Sequence, residues 1–154
     1  MAANTPEVYI IDDTDKHVVV KVIGYYTTAT TQNTQLFSAN TLRGADNTKP
    51  CILSIAAVDY SASIANGYVA VEFMGAANQK GYVFGRANDG NFIRYVPNAA
   101  GAPTGDINLN QVGLAGSDVF DLVITFVKEF QGTYWNIAAP TRGSGAWANT
   151  QYGY

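Results

Sequence analysis

Between Ser117 and Gln131 the apolar positions recur at every second residue. Phe120, Leu122, Ile124 and Phe126 fall on one side of a pleated strand, and Val119, Asp121, Val123, Thr125 and Val127 on the other. The first side is wholly apolar and must meet a core. The segment shows no 3.6-residue period, and its β-branched and aromatic residues suit a pleat better than a helix, so it predicts a central strand.

The same period recurs along the chain. Pro6 to Asp12 and Lys16 to Tyr26 flank Asp13, Thr14 and Asp15, a hairpin signal, and Gly24 inside the second arm suggests a bulge or a bend at a sheet corner. Cys51 to Tyr60 reads as an interior strand. Tyr68 to Met74 follows an Asn66-Gly67 turn with Val69, Val71 and Phe73 inward and Tyr68, Ala70 and Glu72 toward water. Lys80 to Arg86 and Asn91 to Val96 flank Asn88-Asp89-Gly90, a second hairpin signal. Thr27 to Gln35 reads as a polar loop and Leu36 to Leu42 as a short edge strand. Pro97 to Gly116 reads as a long connection with room for a short strand at Ile107 to Val112.

About eight strands without an amphipathic helical segment predict an all-β fold, an antiparallel β-sandwich or closed barrel. The long excursions between strands favour a jelly-roll arrangement. The 154 residues fit one domain. We divide them into a β-sandwich over residues 1–132 and an aromatic C-terminal arm over 133–154, packed on the domain or on a neighbour.

Composition changes the picture in one respect. Charged residues make up 14% of the chain, where about 25% is ordinary, and Asn, Thr, Gln, Ala, Gly and ten tyrosines take their place. Such a surface has few ions to desolvate on contact, and tyrosine supplies amphipathic contact area, so the composition predicts self-association or docking. A net charge of -3 and the lack of any apolar stretch near 20 residues argue against nucleic acid and membrane as partners. MAANTPEVYI has neither the basic start nor the apolar core of a secretion signal, so synthesis and folding in a cytoplasm are expected.

Candidate chemistry is sparse. His17 is the single histidine and stands beside an acidic turn, where a solvated ring or a pair with Asp15 is expected and a Ser-His-Asp or Cys-His arrangement is not supported. Cys51 opens an apolar strand and reads as a buried small hydrophobe. Asp12, Asp13 and Asp15 form an oxygen-rich turn without the glycine and distal glutamate of an EF-hand, so an Asx-type turn outweighs a cation site. A glycosidase could use two of the twelve carboxylates, but their separation is not legible in sequence; Asp59 and Glu72 lie on strands, and Asp121, which interrupts an apolar face, reads as a buried group that satisfies the backbone or faces an opening rather than a catalyst. Arg142-Gly143-Ser144-Gly145 lacks the lysine and the strand-to-helix setting of a phosphate loop. No cofactor, metal or catalytic residue is assigned.

The arm carries more. Tyr134, Trp135, Trp147, Tyr152 and Tyr154 share it with a single charge, Arg142. Disordered tails are charged and poor in aromatics, so this segment is expected to pack, either on its own sandwich or outside it. Together with Tyr25 and Tyr26, these aromatics are the candidate partner and self-association residues.

With those features assembled, the chain resembles the small structural proteins of tailed bacteriophages, especially capsid decoration or cement proteins. The likeness is one of style across the whole chain: short length, one cysteine, a charge-poor surface, YVAVEFM and DVFDLVITFVKEF as core strands, and an aromatic, glycine-containing terminus. The resemblance implies a β-rich module, often trimeric, that sits on the outer capsid, contacts the major capsid protein and braces neighbouring capsomers in the virion. It implies no active-site residue. The competing class is a carbohydrate- or receptor-binding sandwich, lectin-like or a tail-fibre head, in which Trp135, Trp147, Tyr25 and Tyr26 would stack on sugar rings.

Overall fold

A computed structural model describes residues 3–85 and 95–138. Eight strands follow one another: β1 (Glu7–Asp13), β2 (His17–Tyr25), β3 (Thr30–Ser38), β4 (Leu53–Ser63), β5 (Tyr68–Ala77), β6 (Gln79–Gly85), β7 (Gly101–Leu114) and β8 (Val119–Lys128), with one 3₁₀ turn at Ala39–Thr41. They form two four-stranded antiparallel sheets, ordered β1-β2-β8-β4 and β3-β7-β5-β6.

The pairings are nested. β2 pairs with β8, β3 with β7 and β5 with β6, while β4 is bridged through Ile55 to Val96. The partners alternate between sheets as the chain proceeds, which is the order of a jelly roll. The chain is therefore an all-β antiparallel sandwich, as the period-two segments predict.

The core lies between the sheets. From one side come Val18, Val20 and Val22 of β2, Leu53, Val58 and Tyr60 of β4, and Phe120, Leu122, Ile124 and Phe126 of β8, all buried. Val69, Val71 and Phe73 of β5, Phe84 of β6 and Ile107 and Leu109 of β7 meet them from the other. Aromatic rings interlock across the gap: Phe37 against Phe126 at 5.6 Å, Tyr60 against Phe84 at 4.9 Å, and Phe84 against Phe120 at 5.5 Å between centroids.

Three sequence expectations are corrected. Residues 30–35 are strand rather than loop, because Gln32, Asn33 and Gln35 pair with the equally polar Gln111, Asn110 and Asn108 of β7, and of the edge strand expected over 36–42 only residues 36–38 are strand, the 3₁₀ turn following. The expected connection from Pro97 contains β7, the longest strand of the described residues at 14 positions and an interior one. Its inward residues are Gly105, Ile107, Leu109 and Gln111, and a glycine and a glutamine mask the apolar period. Gly24 makes no bulge, since it pairs in continuous register with Phe120. It is small because a Cβ there would stand 2.2 Å from the Phe120 ring. The turn expected at Asn88-Asp89-Gly90 and most of the Asn91 to Val96 strand lie outside the described residues.

Candidate functional site

The two outer faces of the sandwich have opposite chemistry. On the β3-β7-β5-β6 sheet, Asn33 donates to a Glu72 carboxylate oxygen at 3.1 Å, Asn108 donates to Asn33 at 2.9 Å, and Asn110 donates to the second Glu72 oxygen at 3.3 Å. This amide lattice closes over Glu72 and leaves it only 7% exposed, so the side expected to be simply wet is self-satisfied. A face whose donors and acceptors are already paired has little to offer a partner.

The β1-β2-β8-β4 sheet presents instead a row of apolar side chains. Six large apolar residues in described strands are exposed, and five lie on this sheet: Tyr9, Tyr25 and Val119 on its outward side, Ile10 on the side of the inward Val20, and Ile11 at the irregularity in β1. Strand register aligns its outward residues across the sheet. Tyr25, Val119 and Ser63 form one row, Ile23, Asp121 and Ser61 the next, and Tyr9, Lys21, Val123 and Asp59 a third. A depression of about 330 Å³ lies over the first two rows, lined by Ile23, Tyr25, Ser61, Ser63, Val119 and Asp121 with the backbone between them.

Its charges include one ion pair, Lys21 with Asp121, and the exposed Asp59 of the third row. Lys21 Nζ lies 3.3 Å from Asp121 Oδ2, both side chains well exposed, so the pair orients the two side chains more than it stabilises the fold. Asp121 is thus an exposed, ion-paired residue, not a buried carboxylate. Tyr9 donates its hydroxyl to Glu7 at 2.6 Å, and the hydrogen bond and charge of that carboxylate raise the Tyr9 phenol above its ordinary pKa.

The aromatic candidates separate. Tyr25 is exposed at the rim of the depression, where its ring is accessible. Tyr26 does not: it is fully buried, and its hydroxyl donates to Gln111 Oε1 at 2.8 Å. Trp135 is likewise fully buried in its own sandwich, its indole Nε1 donating to the Ile52 carbonyl at 2.9 Å. An external contact or a stacked sugar needs an accessible ring, so both residues are withdrawn as contact residues. Tyr134 is partly buried against the core, and Phe130, exposed, packs edge-on against it at 5.1 Å. The arm from Tyr134 to Ile137 therefore packs on its own domain. Trp147, Tyr152 and Tyr154 lie outside the described residues.

Two of the three acids of the acidic turn, Asp13 and Asp15, are engaged by internal contacts. Asp13 accepts from Lys128 Nζ at 2.6 Å and from the Arg43 backbone N–H at 2.8 Å, and Asp15 accepts from Arg43 Nε at 2.7 Å. Lys128 also donates to the carbonyls of Thr14 and Arg43, at 2.6 and 2.7 Å. Among the described residues no cluster of three His, Cys, Asp or Glu side chains could hold a metal ion. His17 does not pair with Asp15; it is half-buried, with its Nδ1 buried and without a hydrogen-bond partner. Cys51 is fully buried, as expected, although β4 begins only at Leu53.

No described helix is long and apolar enough to cross a membrane. Comparison of the chain with protein-family profiles, with curated proteins and with solved structures finds no match. Sequence reasoning missed this outer face because Tyr9, Ile23 and Val119 look like ordinary strand residues until register sets them on one side of the sheet.

Proposed function

We propose that the protein is a non-enzymatic virion structural protein, a capsid decoration module that docks through the outer face of the β1-β2-β8-β4 sheet. One observation supports the docking half of this reading: Tyr25 and Val119 are exposed side by side at the rim of a depression on the outer side of that sheet, with Tyr9 exposed on the same side, while the opposite face carries a self-paired amide lattice. Each large apolar side chain removed from water there contributes roughly 1.5 to 3 kcal/mol. A patch of this size gives a modest contact for one subunit. Several subunits held together multiply it by effective concentration, which favours a closed homo-oligomer on a repeating lattice such as the major capsid protein. The virion assignment and the trimer rest on the resemblance described from sequence.

The test is retention on particles. Gradient-purified particles from the source that produces the chain should contain it, and Val119→Asp should release it into the unassembled fraction. Finding the wild-type chain wholly outside the particle band would end this reading.

A carbohydrate- or receptor-binding module is the second reading, supported by one feature of the same depression. The Tyr25 ring stands beside the Asp121 carboxylate and the Ser61 and Ser63 hydroxyls, a combination that can stack on a sugar ring and accept from its hydroxyls. Saturable glycan binding, lost on Tyr25→Ala, would favour it.

A further inference from the structure

The turn after β8 presents an aromatic side chain from a backbone conformation that suits smaller residues. Phe130 is 60% exposed, more than any other large apolar residue among the described residues, and its φ is +50°. Glycine, asparagine or aspartate ordinarily occupies that region, and a bulky residue stays there only where its surroundings hold it. Here they do. The Phe130 carbonyl accepts from the Thr133 and Tyr134 backbone N–H groups at 3.0 and 2.8 Å, Lys49 Nζ donates to the Gly132 carbonyl at 2.8 Å, and the Cys51 backbone N–H donates to the Tyr134 carbonyl at 3.0 Å. The Tyr134 ring meets Phe130 edge-on at 5.1 Å. The turn is a fixed mount for one protruding ring, and a side chain ordered in advance loses little freedom on binding.

The other end of β8 carries a matching hollow. The depression of about 330 Å³ lies over the row of Tyr25, Val119 and Ser63 and the row beside it. A cavity of about 150 Å³ accepts a benzene-sized ring, so the depression has room for Phe130 and the edge of Tyr134. The 10 residues of β8, at about 3.3 Å each, hold knob and hollow roughly 30 Å apart. A chain therefore cannot fill its own depression, whereas a second copy can. Charge agrees in sign: Lys49 beside the knob and the exposed Asp59, two residues before Ser61 of the hollow, each make no ion pair among the described residues.

We propose that Phe130 of one copy inserts into the Tyr25–Val119 depression of a second copy, joining subunits head to tail. Knob and hollow are different surfaces, so each subunit gives one and receives one, and the series ends only by closing into a ring. A single aromatic side chain buries about 150 to 250 Å², far below the roughly 1,200 Å² of a stable pair. One contact is therefore weak, and ring closure, in which every subunit is held twice, supplies the persistence. The inference rests on the docking reading for the face involved and deepens it by naming what fills the depression, leaving the rows around Tyr9 and Val123 for a lattice.

Sedimentation of the isolated full-length protein tests it without any particle, so its failure leaves particle retention standing as a separate question. The wild-type chain should associate increasingly as concentration rises toward about millimolar. Phe130→Asn removes the knob with a residue that tolerates positive φ, and Val119→Asp spoils the hollow; each should weaken association at least roughly tenfold. Tyr25→Ala serves as a second hollow variant. The melting temperature of Phe130→Asn should stay within a few degrees of wild type, which a residue needed for the fold would not allow. The mixture decides the geometry. Phe130→Asn keeps an intact hollow and Val119→Asp an intact knob, so equal amounts of the two should form a heterodimer and nothing larger. A wild-type chain that stays monomeric throughout, a Phe130→Asn variant that associates as wild type does, or a mixture that remains monomeric would each overturn the proposal.

Discussion

The ammonium of Lys128 lies 5.0 Å from the centre of the Trp135 ring, with neither residue more than 2% exposed. Its other contacts are Asp13 and the carbonyls of Thr14 and Arg43, so one side chain fastens the end of β8 to the first hairpin, the 43–50 connection and the segment after residue 132. Lys128→Met keeps the stem and leaves these acceptors without their donor. Breaking a buried pair costs about 3 to 5 kcal/mol, and partial exposure of Asp13 lowers the expectation to about 2 to 4. Urea denaturation measures it, and a loss below about 1 kcal/mol would show that the hub contributes little.

Tyr26 predicts a dependence on alkaline pH. Burial pushes its phenol pKa well above the ordinary value of 10. The raised folded value means that this contribution is complete below about pH 10 and is lost as pH rises through the folded pKa. Tyr26→Phe should remove that loss. At neutral pH the variant should be less stable by about 1 kcal/mol, since Gln111 Oε1 keeps only the Gln32 donor at 2.8 Å. Stability curves of both proteins between pH 8 and 11 check this, and parallel curves would refute the assignment to Tyr26.

Gly24 and Phe120 should be coupled. A methyl group at position 24 meets the Phe120 ring at 2.2 to 2.8 Å, inside contact distance. Gly24→Ala should cost about 1 to 3 kcal/mol by overpacking. Phe120→Leu should relieve part of that cost in the double variant, giving a favourable coupling energy in a denaturation cycle. Additive losses would mean that the glycine is needed for its backbone instead.

The proposed docking through this face predicts a separation of stability from assembly. Tyr25→Ala and Val119→Asp change exposed side chains, so each should alter the stability of the isolated subunit by no more than about 0.5 kcal/mol. Both should weaken particle retention or self-association, read by sedimentation. Unchanged retention with unchanged melting would move the contact away from this face.

Much of the fold was legible locally. Alternation in Ser117–Gln131 placed Phe120, Leu122, Ile124 and Phe126 in the core, where all four are buried, and the Asp13-Thr14-Asp15 hairpin forms between β1 and β2. Wherever one face is buried and the other wet, period two is written directly into residue type. β3 and β7 escaped because their inward positions include Gln32, Gln111 and Gly105, polar or small residues that belong inside only once partners are known. Gln111 is fully buried because Tyr26, Gln32, Thr34 and the Leu109 carbonyl satisfy both ends of its amide.

The sequence by itself therefore determined the fold class, most strand positions, the burial of Cys51 and the charge-poor character of the surface, because these depend on residue type and short-range period. Only the tertiary structure decided which aromatics are free. Trp135 and Tyr26 look the same as Tyr25 in composition, yet two are sealed by partners distant in sequence, Ile52 and Gln111, and one remains at the surface. The same holds for the two outer faces. Asn33, Asn108, Asn110 and Glu72 become a closed lattice, and Tyr25, Val119 and Ile23 an open apolar one, only when strands 30 to 100 residues apart are set in register. Residue type sets what a side chain can do, and long-range pairing sets whether that capacity is spent inside the molecule or left for a partner.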